Sequence, residues 1–173
     1  MIKDILLTIT QSDGDESAFN YSVKLAETAK ANLAIVIPVQ FPDLGPAEFG
    51  INSYPMYAGI YEEKLKVAEK LADDLRAKLS NTSISSEVRV ISTPQLNISQ
   101  VSASHAHYAD ISILGGVNEG PQKNECQDIF AELLLQSGRL VLFVPSSQDT
   151  CYPIKHVVIA WQPTKEASRA VHD

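Results

Sequence analysis

The stretch Ile113-Leu114-Gly115-Gly116-Val117-Asn118-Glu119-Gly120 breaks a short apolar run into glycines. It then leads, through Pro121, into the apolar-periodic segment Gln127–Leu135. A strand, a glycine bend and a helix form a cradle for an anion: backbone N–H groups point at the charge and the helix N-terminus lies behind it. Here the donors would be the amides of Gly115, Gly116 and Asn118. Other chemistry-bearing residues assemble less well. His105 and His107 stand two positions apart, which on a helix turns them roughly 200° away from each other, so no shared metal is expected. Cys126 and Cys151 have neither metal nor redox spacing and are expected as inert, reduced thiols. Ser12, Ser17 and Ser22 lack a Gly-x-Ser-x-Gly elbow, and the four histidines form no recognisable pairing with an acid. Ser12 reads as a helix cap. No catalytic residue and no metal site is assigned.

The elements around the glycines alternate. Ile2–Thr10 is a buried-strand pattern and is followed by a turn in which Asp13, Asp15 and Ser17 can each cap a helix. Ala18, Tyr21, Ser22, Leu25, Ala26 and Ala29 then fall on one helical face. Asn32–Val39 is a second buried strand. The proline- and glycine-rich segment from Gln40 to Pro55 reads as a long loop able to lie over a site. Tyr61, Leu65, Ala68, Ala72, Leu75 and Leu79 repeat at steps of four and three, an amphipathic helix. Val88 and Val90 alternate with Glu87 and Arg89, the pattern of a half-exposed edge strand. Ile98, Val101, His105 and Tyr108 mark a short helix, Asp110–Leu114 a further strand, Ile129, Phe130, Leu133 and Leu134 a helical face, and Arg139–Pro145 a fifth strand. Strands joined by crossover-length connections make a parallel sheet covered on both faces.

Bulk properties exclude several classes. The net charge of −7, without a long block of one sign, offers no nucleic-acid surface. No apolar run approaches the ~18–20 residues that span a bilayer. Asp4 interrupts what would be the apolar core of a leader peptide, so the start reads as a structural strand and the compartment as cytoplasm. After residue 145 the sequence repeats itself: Ile154–Trp161 (IKHVVIAW) restates Ile2–Ile9 (IKDILLTI), and Thr164, Ala170 and Val171 fall in register with Ser12, Ala18 and Phe19. An offset of one domain length is the mark of tandem domains. The expected organisation is a domain over 1–147 and the first strand and helix start of an incomplete second repeat over 152–173.

These stretches carry a resemblance. Ile2–Ala26 resembles the opening of the universal stress protein family, in which a strand ends at an Asp-Gly-Ser turn before an Ala-rich helix. His105–Gly116 resembles the Ala-Asp strand that delivers the family's glycine loop, and Ala131–Pro145 resembles its closing helix and strand. Ile154–Asp173 resembles the start of a second domain in the bacterial tandem type, here apparently cut short. The resemblance implies an open five-stranded parallel sheet of order 3-2-1-4-5 with helices on both faces, a Rossmann-like, adenine nucleotide alpha hydrolase-like architecture. It also implies an ATP site at the carboxyl ends of the first, second and fourth strands and a homodimer through Leu140–Val144. Apart from the resemblance, the apolar run Val157–Trp161, an orphan strand without its domain, is expected to add to a sheet edge or to drive association between chains.

Carried over position by position, the family's nucleotide site falls on Thr8, Ile9, Thr10, Val39, Gly115, Gly116, Asn118, Asp128 and Ile129. Its motif is a Gly, two residues, a second Gly, nine residues, then Gly followed by Ser or Thr. Laid on Gly115, it meets Asn118 at the second glycine and Asp128-Ile129 at the last pair, so only the first glycine survives. Thr10 stands at the adenine-contacting Asp and Gln11 at the turn glycine. Ile129 in place of a hydroxyl removes a bond to a charged group, worth roughly 1.5–3 kcal/mol. At ~4 Å and an effective dielectric of ~20, an Asp128 carboxylate would repel a phosphate by about 4 kcal/mol before screening. A helix terminus returns only ~0.3–1 kcal/mol. The expectation is a degenerate nucleotide site in a non-catalytic stress-response protein without a resident cofactor, holding ATP or AMP weakly if at all. The alternative implied by the family is an ATP- or AMP-binding regulator or weak ATPase.

Overall fold

A computed structural model describes residues 2–40, 54–93, 97–117, 119–120, 122–146 and 152–172. Most of the long loop, Asn118 and Cys151 lie outside them. The elements run β1 (Asp4–Thr8), α1 (Asp15–Ala29), β2 (Asn32–Gln40), α2 (Tyr54–Leu79), β3 (Ser86–Thr93), α3 (Ile98–Ala106), β4 (Ile111–Gly115), α4 (Lys123–Gln136), β5 (Leu140–Val144) and α5 (Lys165–His172). The sheet has the order β3-β2-β1-β4-β5, and every pairing is parallel.

Near-continuous apolar runs make the central strands, because both of their faces are covered. Ile5, Leu7, Ile9, Leu33, Ile35, Ile37 and Ile113 face one layer, where they meet Ala18 and Ala26 of α1 and Ala68, Ala72, Leu75 and Leu79 of α2. Leu6, Val36 and Leu114 face the other, against Val101 and Ala106 of α3 and Ile129 and Leu133 of α4. Leu7 lies at the centre, in register with Ile35 on one side and Ile113 on the other. Full burial of side chains of this size contributes about 1.5–3 kcal/mol each.

Local chemistry sets the element ends. The Asn97 side chain accepts from the Gln100 N–H at 2.8 Å while the Gln100 side chain accepts from the Asn97 N–H at 3.3 Å, a reciprocal cap that starts α3. Tyr108, expected on that helical face, falls beyond the end of α3 and is exposed. His105 is half-buried and His107 exposed. β3 is a sheet edge with Glu87 and Arg89 outward and paired with each other, as expected of a strand that must not recruit another.

Beyond β5, Tyr152 lies against α1, its ring meeting Tyr21 edge-on at 5.2 Å between centroids. From Ile154 to Trp161 the chain forms neither helix nor paired strand, and Val158 is 94% exposed. Ile113→Ala is therefore expected to cost about 2–5 kcal/mol in urea unfolding, whereas Val158→Ala should stay within about 0.5 kcal/mol of the parent.

Candidate functional site

The carboxyl ends of β1 and β4 meet at the point where the strand order reverses, the place where open α/β sheets bind ligands. Two turns converge there. The turn after β1 passes so close to the bend after β4 that a Cβ on Gly14 would lie 2.3 Å from the Gly116 carbonyl oxygen, and one on Gly115 would lie 2.6 Å from the Gly14 carbonyl. A Cβ on Gly116 would meet the Phe143 ring at 2.8 Å. Glycine is thus required by close backbone approach. The polar groups of the bend are engaged as well. The Gly116 N–H donates to the Val144 carbonyl at 2.6 Å, and the Cys126 thiol donates to the Gly115 carbonyl at 3.2 Å. Of the expected anion donors, Gly116 is therefore committed to β5, and Asn118 lies outside the described residues.

A carboxylate occupies the same mouth. Asp15, in the first turn of α1, folds back over the turn and accepts from the Thr10 N–H, the Thr10 hydroxyl and the Ser12 N–H, each at 3.1 Å. Burial pushes its pKa above the ordinary value, and the Thr10 and Ser12 amides oppose that shift. The helix itself begins at Gly14 without a side-chain cap. Sequence reasoning placed Asp15 only among candidate caps; the three donors it gathers come from a turn whose shape the sequence does not display. On α4, burial likewise raises the Glu125 pKa; Lys64 opposes this and Asp128 adds to it.

The sequence-derived positions separate into two groups. Ile9, Thr10 and Val39 come together on a cleft of about 210 Å3 at the ends of β1 and β2. Gln11, Pro38, Gln40, Lys64, Ile98, Gln122 and Glu125 complete its described lining. Thr8 and Ile129 face the α3/α4 core instead. Thr8 is wholly buried, and its hydroxyl has no partner among the described residues. Ile129 is fully buried beside Leu6 and Leu133, which explains an apolar residue at that position. Asp128 is exposed on α4, and Gly115 and Gly116 are packed under the Gly14 turn. Gln11 takes φ 56°, the left-handed conformation that a turn glycine would supply.

A larger concavity, about 840 Å3, lies at the opposite end of the strands beside Asp4, Asn32, Glu87, Arg89, His105 and Tyr108. Its Arg89 and Glu87 neutralise each other, and burial together with the Arg89 cation holds the His105 pKa below the usual imidazole value. The smaller cleft stands at the carboxyl ends where this sheet class converges its polar groups. Among the described residues no group of three His, Cys, Asp or Glu side chains could hold a metal ion, and no helix is long and apolar enough to cross a membrane.

No family model matches the chain and no curated protein sequence matches it, but solved structures do. The universal stress protein UspA from Lactobacillus plantarum superposes with a TM-score of 0.66 at 15% identity, covering 83% of this chain and 97% of that one. The fold is the one universal stress proteins adopt. A family member from Burkholderia pseudomallei gives 0.59 at 18% identity over 83% of this chain and 96% of its own. One from Arabidopsis thaliana, solved with AMP bound, gives 0.57 at 10% identity over 85% and 94%. At these identities the likeness is one of fold, including the five-stranded order and the helices on both faces.

Two measurements check this geometry. Gly115→Ala is expected to destabilise by about 1–3 kcal/mol, because both clashing atoms are backbone; Gly59→Ala, in open space within α2, should stabilise by up to about 1 kcal/mol. In carboxyl NMR titration, Asp15 and Glu125 should titrate above their ordinary values. Asp110, whose carboxylate accepts the Lys3 and Asp4 amides, should titrate below its own. The raised pair stabilises most below the unfolded-state carboxyl pKa and loses that contribution as pH rises through the folded values; Asp110 contributes above the unfolded value and loses it as pH falls through its folded one.

Proposed function

We propose that this chain is a non-catalytic stress-response protein of the universal stress protein type, acting in the cytoplasm through protein contacts or weak ligand binding, with a nucleotide site that no longer holds phosphates. Two observations support the reading: the backbone of the Gly14 turn rests directly on Gly115 and Gly116, and the Gly116 amide is already committed to the Val144 carbonyl. The half-buried Asp15 carboxylate adds an unfavourable field for phosphate at the same mouth.

The surfaces favoured for contact are apolar. Leu140 and Phe143 on the β5 edge are exposed, as are Val157, Val158, Ile159 and Trp161. Both belong to the proposed homodimer, through Leu140–Val144 and Val157–Trp161. The repeat of the β1 sequence over Ile154–Trp161 supports the tandem-type reading, with 152–173 as the beginning of a second repeat.

The second reading, an ATP- or AMP-binding regulator or weak ATPase, draws on the open cleft beside Ile9, Thr10 and Val39 and on the AMP-bound neighbour. Thermal-shift titration separates the two. A ligand at 100 times its dissociation constant adds roughly 2.7 kcal/mol. The expected result is no shift with millimolar ATP or AMP; a saturable rise at micromolar nucleotide would favour the second reading.

A further inference from the structure

The concavity at the amino ends of the strands has the size of a small-molecule site, about 840 Å3 against the ~300–1,000 Å3 such sites occupy. One row across the sheet explains why it exists. Leu6, Ala34 and Glu87 are in register on β1, β2 and β3 and line the concavity together. With neighbouring strands about 4.8 Å apart, Leu6 and Glu87 stand roughly 10 Å from each other, and only the Ala34 methyl lies between them. Ala34 is accordingly half-buried although its strand lies inside the sheet. The foot of α3 leaves the gap open: His105 is half-buried on its wall, and Tyr108, just past the helix, is 86% exposed on its rim.

The wall carries two opposite charges in contact. Glu87 and Arg89, two positions apart on β3, share one face, and the Arg89 guanidinium donates to the Glu87 carboxylate. Among the described residues this is the only bond of the Arg89 side chain, so most of its five N–H donors are open. The His105 ring, without a hydrogen-bond partner among the described residues, lies in the field of both charges. Asp4, the remaining charge on the lining, is two strands away from Glu87 and accepts from the Asn32 side chain at 3.0 Å. A simple anion here would meet Glu87, and a simple cation would meet Arg89. A molecule that carries a carboxylate and an ammonium on one carbon suits both, its carboxylate on the guanidinium fork and its ammonium on Glu87. Leu6 and Ala34 supply apolar floor beside that pair. We propose that this concavity binds a free α-amino acid with an apolar side chain, its two charges held by Glu87 and Arg89. The site lies at the opposite end of the sheet from the glycine bend, so it stands whether or not that bend holds phosphate.

Calorimetric titration of the 173-residue chain tests it, with leucine, phenylalanine and glycine as probes. N-acetyl-leucine and leucinamide, which each lack one of the two charges, complete the set. Leucine or phenylalanine is expected to bind with a dissociation constant below about 1 mM. Glycine and both blocked forms should bind about tenfold more weakly or not at all. Absence of binding by leucine and phenylalanine alike, or equal affinity for either blocked form, would overturn the inference. Arg89→Gln and Glu87→Gln alter exposed positions on a sheet edge and should leave the melting temperature nearly unchanged. Each is expected to weaken leucine binding about tenfold, and Ala34→Leu, which fills the floor, should abolish it. Unchanged affinity in both Arg89→Gln and Glu87→Gln would place the binding elsewhere and overturn the site.

Discussion

The architecture turns on a contact between two pieces of main chain. Where the Gly14 turn lies on Gly115 and Gly116, the loops after β1 and β4 are brought within van der Waals reach with no side chain between them. The crossing is held from below by the β1–β4 ladder and from the side by the Gly116 amide on the Val144 carbonyl. Backbone packed this tightly leaves little space at the switch point. A Cβ on Gly14 or Gly115 would force the loops apart, and one on Gly116 would press on Phe143 of β5, so packing alone accounts for the three glycines.

Beside it, over β1 and β2, lies the cleft whose lining includes Gln11, Gln40, Gln122, Val39, Ile98, Lys64 and Glu125. Asp15 lies at the same mouth. Its carboxylate satisfies donors of the β1 turn from within the fold, so the positive end of α1 is occupied by the protein's own anion. Burial makes that ionisation less favourable than in water, and the hydrogen bonds offset part of the cost.

Much of the frame could be read from residue order. The apolar runs of β1, β2 and β4, the four-and-three spacing from Tyr61 to Leu79 and the alternation around Val88 each obey a local period, and each became the expected element. The strand order followed from the resemblance and is observed. The site was less legible because its determinants are tertiary. Gly115 and Gly116 were visible as a bend, but the reason for them is the approach of Gly14, a hundred residues earlier in the chain. Thr8 and Ile129 were carried over as ligand positions, yet strand alternation and the α4 register turn both into the core. A usable signal for Gln11 did exist: a non-glycine residue at an expected turn glycine marks either a changed turn or a retained one under strain, and the structure shows the latter.

The edge-on contact of Tyr152 with Tyr21 has a consequence for everything that comes after it. A polypeptide pinned to a helix only two residues before an exposed apolar segment does not explore space as a loose end would. Its tether is short, so surfaces near α1 and the last strand experience that segment at a local concentration far above its concentration in bulk. Loosening the aromatic clasp would spread the same residues over a much larger volume, and encounters with neighbouring surfaces would become correspondingly rarer even though no atom of the encountering faces had changed.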